Sequence, residues 1–455
     1  MRRLRTCIVG TGYVGLTNAV ALAYLGHEVV CLDVDQAKVA MLSAGKIPIF
    51  EPHLEDLLAS SRERMTFTTD YAQAIPKADV VFIAVGTPTG EGGAPDLRYL
   101  QAAAKSVGEH LGEGFTVVVN KSTVPIGSAN WVEAIVRDAF QRRAGEKKGT
   151  FAVASNPEFL REGSALHDTL YADRTVLGAD DQRAVEVLSE LYRPITDQTF
   201  EPLPYLPRPA GLTTSRLITT DLASAELIKY AANAFLSLKI SFINEIAELA
   251  ERVGADVVQI AEGIGSDARV GRSFLQAGLG WGGSCFGKDT AALLATGREY
   301  GLEMPIVKAA RDVNWRQRQR VTDKLLNELK ILKGKTIGLL GLAFKPFTDD
   351  LRDAPALDIA ARLLERGASV RVHDPVAMAR VKSDGKLAVH FCESAHEVAE
   401  GADALVLVTE WPEYRRLPWE SVAKSMRNPL ILDGRNALEQ QQLTKAGFRY
   451  IGMGR

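Results

Sequence analysis

Cysteine is scarce in this chain. Four residues, Cys7, Cys31, Cys285 and Cys392, stand among 455 without paired spacing. That excludes a disulfide framework and points to a reducing compartment, hence the cytoplasm. The seven histidines show no metal-ligand spacing, so no metal is expected. Neither sign of charge is in excess: 54 Lys and Arg face 56 Asp and Glu, a net charge of −2. Nothing in that balance attracts nucleic acid or an anionic membrane, and neither is expected as a partner. No run approaches the roughly 18 consecutive apolar residues of a membrane span. The start, MRRLRTCIVG, pairs a basic segment with an apolar run, but Gly10-Thr11-Gly12 breaks that run too early for a signal peptide.

What is present is an ordinary globular composition, 46% hydrophobic and 24% charged, in a chain long enough for two or three domains. TCIVG (6–10), EVVCLD (28–33), DVVFIAV (79–85), FTVVVN (115–120) and FAVASN (151–156) read as buried parallel strands separated by helical patterns. Three prolines make EPLPYLPRPAGL (201–212) a connector. Asp221 then caps a helix from Leu222 to about Val253, which Gly254 stops. Its apolar residues cover much of its circumference, so it is expected to be buried between domains or subunits, in a homodimer or larger assembly. KTIGLLGLAF (335–344), ASVRVHDP (368–375), ADALVLVTE (402–410) and PLILDG (429–434) repeat the first pattern, with Gly341 and Asp374 echoing Gly10 and Asp33. The expected fold is α/β: two doubly wound, Rossmann-like domains (1–205 and 329–455) joined by a central helical domain (206–328) with a long connecting helix.

Gly10-x-Gly12-x-x-Gly15 lies directly between a strand and a helix. The first glycine permits the tight turn, the second lets backbone approach a pyrophosphate, and the third lets helix pack on strand. Asp33 ends the next strand, where its carboxylate can accept from both adenosine ribose hydroxyls and would repel a 2′-phosphate. That favours NAD over NADP.

Gly282 to Lys288 spell G-x-x-x-x-G-K, nearly a phosphate-binding loop. Asp289 replaces the Ser or Thr that would hold magnesium and no strand precedes it, so a nucleotidase is not expected. Cys285 remains, on a glycine-rich loop with Lys288 close enough to favour thiolate. Its spacing alone leaves open a nucleophile or a small buried hydrophobe. Lys229 and Asn233 share one face of the long helix, and Lys229 is either functional or a snorkelling lysine. Glu158 and Glu162 in SNPEFLREG follow a strand end, as ligand-site residues or as carboxylates at a helix N-terminus.

In chain order, GTGYVGL (10–16), VGTPT (85–89), KSTVPIG (121–127), SNPEFLREG (155–163), ELIKYAANAF (226–235), WGGSCFGKD (281–289), GLAFKPFTDDLRDAP (341–355) and DGRN (433–436) resemble the UDP-glucose/GDP-mannose dehydrogenase family over nearly the whole chain. The resemblance implies oxidation of a sugar primary alcohol to a carboxylate with two NAD per substrate, UDP-glucose becoming UDP-glucuronate. It implies Cys285 as the nucleophile that forms a thiohemiacetal and then a thioester. Lys229 would stabilise the oxyanion, Asn233 and Asp289 would position water or base, and Glu158 would be the hydrolytic base with Thr123 nearby. Gly10, Gly12, Tyr13, Val14, Gly15, Asp33, Lys38, Thr87, Thr123, Glu162, Lys288 and Arg352 are implied at NAD. Glu158, Phe159, Leu160, Lys229, Asn233, Arg269, Phe274, Gly282, Lys345 and Arg435 are implied at the nucleotide sugar.

The chain departs from the family pattern at Gly287 (commonly Pro), Phe347 (frequently Asn) and Trp281 (often a smaller aromatic), and the last bears on the sugar pocket. GDP-mannose or a UDP-N-acetylhexosamine is the alternative substrate. A two-electron hydroxyacid dehydrogenase leaves Cys285 and the third domain unexplained. A non-enzymatic NAD-sensing module would need the glycine turn and Asp33, but not Lys229, Cys285 or Glu158.

Overall fold

Apolar residues on both faces of a strand are stable only between two helical layers, and that rule builds both halves of this protein. The computed structural model describes residues 2–143 and 149–455. They divide into two units, Met1–Ala231 with Ala291–Tyr300, and Ala232–Thr290 with Gly301–Arg455.

The first unit holds β1 (Arg5–Val9), β2 (Glu28–Leu32), β3 (Met65–Thr68), β4 (Val80–Ile83), β5 (Phe115–Asn120), β6 (Thr150–Ser155), β7 (Arg174–Ala179) and β8 (Arg216–Thr220). They form one sheet in the order β3-β2-β1-β4-β5-β6-β7-β8. Among the described residues, β6 and β7 alone pair antiparallel in this sheet. Ile8, Phe82, Val117 and Val119 pack on one face with Leu16 and Val20 of the helix Tyr13–Tyr24. Cys7, Val9, Val81, Ile83 and Val118 pack on the other with Leu100, Val107, Val132 and Val136. The strand order reverses at β1 and β4, and the crevice beyond their carboxyl ends is where open α/β sheets take ligands.

The second unit repeats the design with β9 (Thr336–Leu340), β10 (Ser369–His373), β11 (His390–Phe391), β12 (Ala404–Leu407), β13 (Leu430–Asp433) and β14 (Arg449–Ile451). Their order is β11-β10-β9-β12-β13-β14, all parallel. The nine strands expected from sequence are present within a few residues. The five not anticipated are β3, β7, β8, β11 and β14, and four of these are sheet edges. Edge strands are covered less completely and carry no continuous apolar run; β8, for example, has no buried residue.

The long helix runs Leu222–Val253, as expected. Asp221 caps it, its carboxylate accepting from the Ser224 N–H at 2.8 Å, and Gly254 ends it at φ +73°. Ile243, Ala247 and Ala250 pack against Val257, Leu275 and Ala277. Phe235, Phe242, Leu249 and Val253 are exposed in the single chain, so this chain alone does not cover the helix all round. No helix among the described residues is long and apolar enough to cross a membrane.

Candidate active site

Gly10, immediately after β1, has φ +98°, and its N–H donates to Leu32 O at 2.7 Å. A Cβ at Gly15 would lie 1.9 Å from Gly10 O, so helix Tyr13–Tyr24 closes on the turn only because that residue is glycine. A Cβ at Gly12 would meet no heavy atom within 4 Å. Packing within the chain does not account for glycine there. Asp33, 8% exposed, accepts from the Thr11 N–H (2.8 Å) and hydroxyl (2.7 Å), and from the Asp35 N–H (3.0 Å). Burial pushes its carboxyl up, but these bonds and Lys38 outweigh that and hold it below the ordinary carboxylate range. It is therefore ionised, as recognition of ribose hydroxyls requires. Lys38 Nζ stands 3.9 Å from it. The second unit echoes the turn: Asp374 accepts from the Leu342 and Ala343 N–H groups at 2.7 and 3.0 Å beside Gly341, at φ +99°.

The contrast between Gly12 and Gly15 is testable. Gly12→Ala should keep its stability within about 0.5 kcal/mol while its NAD Kd rises at least roughly tenfold, an interaction loss of about 1.4 kcal/mol. Gly15→Ala should lose both. Thermal melts and NAD titrations of the two variants check this; a Gly12→Ala protein that binds NAD normally would remove the pyrophosphate from this turn.

The loop after β6 carries Glu158, and the long helix brings Lys229 to it. Their side chains, 7% and 5% exposed, pair at 2.8 Å. Glu158 also accepts from the Leu160 N–H at 2.9 Å, and Lys229 Nζ lies 5.5 Å from the Phe159 ring centroid. The snorkelling reading of Lys229 thus fails, because its ammonium is buried. Glu162 is buried on the same loop, and Thr87 donates its hydroxyl to Thr123 O at 2.9 Å.

Sequence reasoning missed Glu51, whose carboxylate accepts from the Gly163 and Ala165 N–H groups at 2.6 and 2.7 Å and from the Tyr13 hydroxyl. It ties the glycine-turn helix to the end of SNPEFLREG, and no local motif announces it. Glu226 opens ELIKYAANAF, and nothing in its local spacing marks it. It is 3% exposed and accepts from the Gly127 and Ala129 N–H groups at 2.6 and 2.8 Å, where the helix Ser128–Gln141 has no side-chain cap of its own.

In the second unit Cys285 immediately precedes the helix Phe286–Glu299, and its carbonyl accepts from the Asp289 N–H at 2.8 Å. Cys7, Cys31 and Cys392 are buried; Cys285 is partly exposed. Burial pushes the Cys31 and Cys392 thiols up to about 12 and about 11. Cys285 instead stands at the N-terminal, positive end of a helix. Its sulfur lies 3.4 Å from the Ser284 hydroxyl. Asp289, 1% exposed, takes the Asn233 amide at 2.6 Å and Lys288 Nζ at 2.5 Å. Lys288 is thus held by Asp289, which offsets part of the charge expected to act on Cys285. Among the described residues, the element before this loop is the helix Val257–Gly265, not a strand.

The remaining candidates of this unit differ in commitment. Arg269 is exposed and paired with Asp267 at 2.6 Å, and Arg352 is paired with Asp350 at 2.7 Å. Arg435 is mostly spent on its own unit, donating to Val408 O (2.7 Å) and Gly280 O (3.2 Å). Phe274 packs its ring edge-to-face with Phe286, as does Trp281, which is 5% exposed and so belongs to the core beneath the cysteine loop. A Cβ at Gly282 would meet Asp353 O at 2.3 Å, so close backbone packing accounts for this glycine. Lys345 Nζ lies 5.6 Å from the Phe344 ring centroid. Phe347 has φ +65°, a conformation that asparagine tolerates better than a bulky side chain.

Models of the UDP-glucose/GDP-mannose dehydrogenase family match three stretches: the NAD binding domain over residues 4–196, the central domain over 223–316 and the UDP binding domain over 338–440. The UDP-glucose 6-dehydrogenase TuaD of Bacillus subtilis (strain 168) is 44% identical over 453 residues, 99% of this chain and 93% of its own. The UDP-glucose 6-dehydrogenase of Rhizobium meliloti (strain 1021) is 44% identical over 460 residues, 99% of this chain and 100% of its own. A solved UDP-glucose dehydrogenase from the hyperthermophilic archaeon Pyrobaculum islandicum superposes with a TM-score of 0.88 at 39% identity, covering 100% of this chain and 98% of that one.

Proposed function

Because the chain belongs to the UDP-glucose/GDP-mannose dehydrogenase family, we propose that its NAD-dependent oxidation of UDP-glucose is a four-electron reaction through Cys285, ending at UDP-glucuronate. The observation that carries the cysteine route is the contrast among the four cysteines: three are buried, while Cys285 is partly exposed at a helix N-terminus. NAD, when bound, supplies the hydride acceptor for both oxidations.

Lys229 places an ammonium beside the sugar oxygen, which becomes alkoxide-like as its proton passes to the water held by Asn233 and Asp289. Loss of a hydride from carbon then gives the aldehyde. The Cys285 thiolate adds to the aldehyde carbon, forming a C–S bond and a thiohemiacetal. The oxyanion so formed, stabilised by the same ammonium, gives up a second hydride and leaves a thioester. Glu158 takes a proton from water, the hydroxide adds to the thioester carbonyl, and the C–S bond breaks to release thiolate and the carboxylic acid, which ionises to carboxylate by losing its proton to solvent. Asn233 and Asp289 hold the water and the charge at the cysteine.

Sugar contacts are assigned to Phe159, Leu160, Arg269, Phe274, Gly282, Lys345 and Arg435. Tyr13, Val14, Lys38, Thr87, Thr123, Glu162, Lys288 and Arg352 are assigned to NAD. The expected division at 1–205, 206–328 and 329–455 is supported by the three family models, one falling in each part. A homodimer or larger assembly is proposed on Phe235, Phe242 and Leu249, exposed at seven-residue intervals on the long helix. Cytoplasmic location is proposed from four free cysteines.

The decisive measurement is stoichiometry. With NAD and UDP-glucose, two NADH should form per sugar consumed and the product should be the uronate. One NADH per sugar would limit the enzyme to two-electron chemistry. None with any nucleotide sugar would favour the sensing module.

A further inference from the structure

Lys121 opens KSTVPIG, directly after β5, and none of the steps above uses it. It is 8% exposed, and its ammonium donates to Asn156 Oδ1 at 2.8 Å and to the Tyr192 hydroxyl at 3.4 Å. Asn156 is fixed on every side. Its Nδ2 donates to Val176 O at 2.8 Å, its backbone N–H to Asn120 O at 2.9 Å, and its Oδ1 also accepts from the Tyr192 hydroxyl at 2.6 Å.

These direct partners are neutral. A neutral donor such as glutamine could tether Asn156 without the cost of desolvating an ammonium. A tether therefore explains the hydrogen bonds but not the charge. The charge does have an audience: Asn156 stands two residues before Glu158, and the charged groups that act on Lys121 are Glu158 from the β6 loop and Lys229 from the long helix. Tyr192 and Asn156 complete its polar surroundings.

We propose that Lys121 is a positioning residue of this reaction, locking the Asn156–Glu158 loop and adding a second positive charge beside the Glu158–Lys229 pair. A positive charge beside a carboxylate favours its charged form, the form that can take a proton from water. The inference rests on the proposed role of Glu158 as base. Burial, the largest influence, lowers the Lys121 ammonium to about 8, with Glu158 opposing and Lys229 reinforcing the shift. Lys121 is accordingly charged at neutral pH and loses its charge in mildly alkaline solution.

The test is the pH profile of kcat for wild type, Lys121→Gln and Lys121→Arg, with KM for NAD followed in parallel. Lys121→Gln keeps a donor for Asn156 but removes the charge. Its acid limb should move up by about one pH unit, with KM for NAD unchanged, and its curve should meet the wild-type curve above about pH 9, where Lys121 is itself neutral. Lys121→Arg keeps the charge and should keep the wild-type acid limb. An unmoved acid limb in Lys121→Gln, or an equal displacement in Lys121→Arg, would overturn the electrostatic role. If Lys121→Gln does not fold, the Lys121→Arg arm still decides. A wild type that fails to yield two NADH per sugar sinks the parent reading instead, whatever Lys121 does.

Discussion

Cys285→Ala should abolish UDP-glucuronate formation while the protein still binds NAD. An aldehyde carries no hydride that can leave until a nucleophile has added to its carbon, so losing the thiolate blocks the second oxidation. The rate of acid production should fall by roughly 10³-fold or more, the scale on which loss of a nucleophile is felt. Stability should hardly change, because Cys285 is only partly buried and its backbone bond with Asp289 survives the substitution. The glycine turn and Asp33 are untouched, so the NAD affinity should match wild type. Chromatography of the sugar products together with an NAD titration reads both halves. Uronate made at the normal rate by this variant would eliminate the thioester route and leave direct oxidation of a hydrated aldehyde.

Lys229→Met should be nearly as damaging, for two separable reasons. The ammonium is 5% exposed and is the ion-pair partner of a carboxylate that is 7% exposed. Removing one member of such a pair leaves a buried charge uncompensated and typically costs about 3–5 kcal/mol. Removing a group that stabilises a developing oxyanion costs about 10²–10³ in kcat. The double variant Lys229→Met/Glu158→Gln separates them, since it no longer buries a lone charge. Its melting temperature should recover much of the loss, while kcat stays at least as low as in the single variant. A double variant that regained both would show that the pair serves stability alone.

Much of this was legible without coordinates, for identifiable reasons. β5 was read to its exact ends, and the long helix to within a residue, because continuous apolar runs and a capping Asp221 are local signals. Edge strands β3, β8, β11 and β14 escaped because incomplete cover leaves no such run. Cys285 was distinguished from the other cysteines by its glycine-rich setting, and its partial exposure agrees. The charge attributed to Lys288 was only half right. A one-residue neighbour, Asp289, captures its ammonium. Lys229 looked like a snorkelling lysine because the helix face gives no sign of a carboxylate waiting 71 residues earlier in the chain.

By itself, then, the sequence determined the glycine turn, its acidic partner Asp33, the cysteine on its loop and the doubly wound pattern, because each depends on residues close in the chain or on a repeating period. Only tertiary structure decided which polar groups leave water together: Glu158 with Lys229, Glu51 across Tyr13 and Gly163, Lys121 with Asn156 and Tyr192. Those groups hang on different strand ends and helices, and the sheet order sets how far apart they lie. Burial then turns their proximity into strong electrostatics, and neither the proximity nor the burial of a single polar residue is written in any local stretch of the chain.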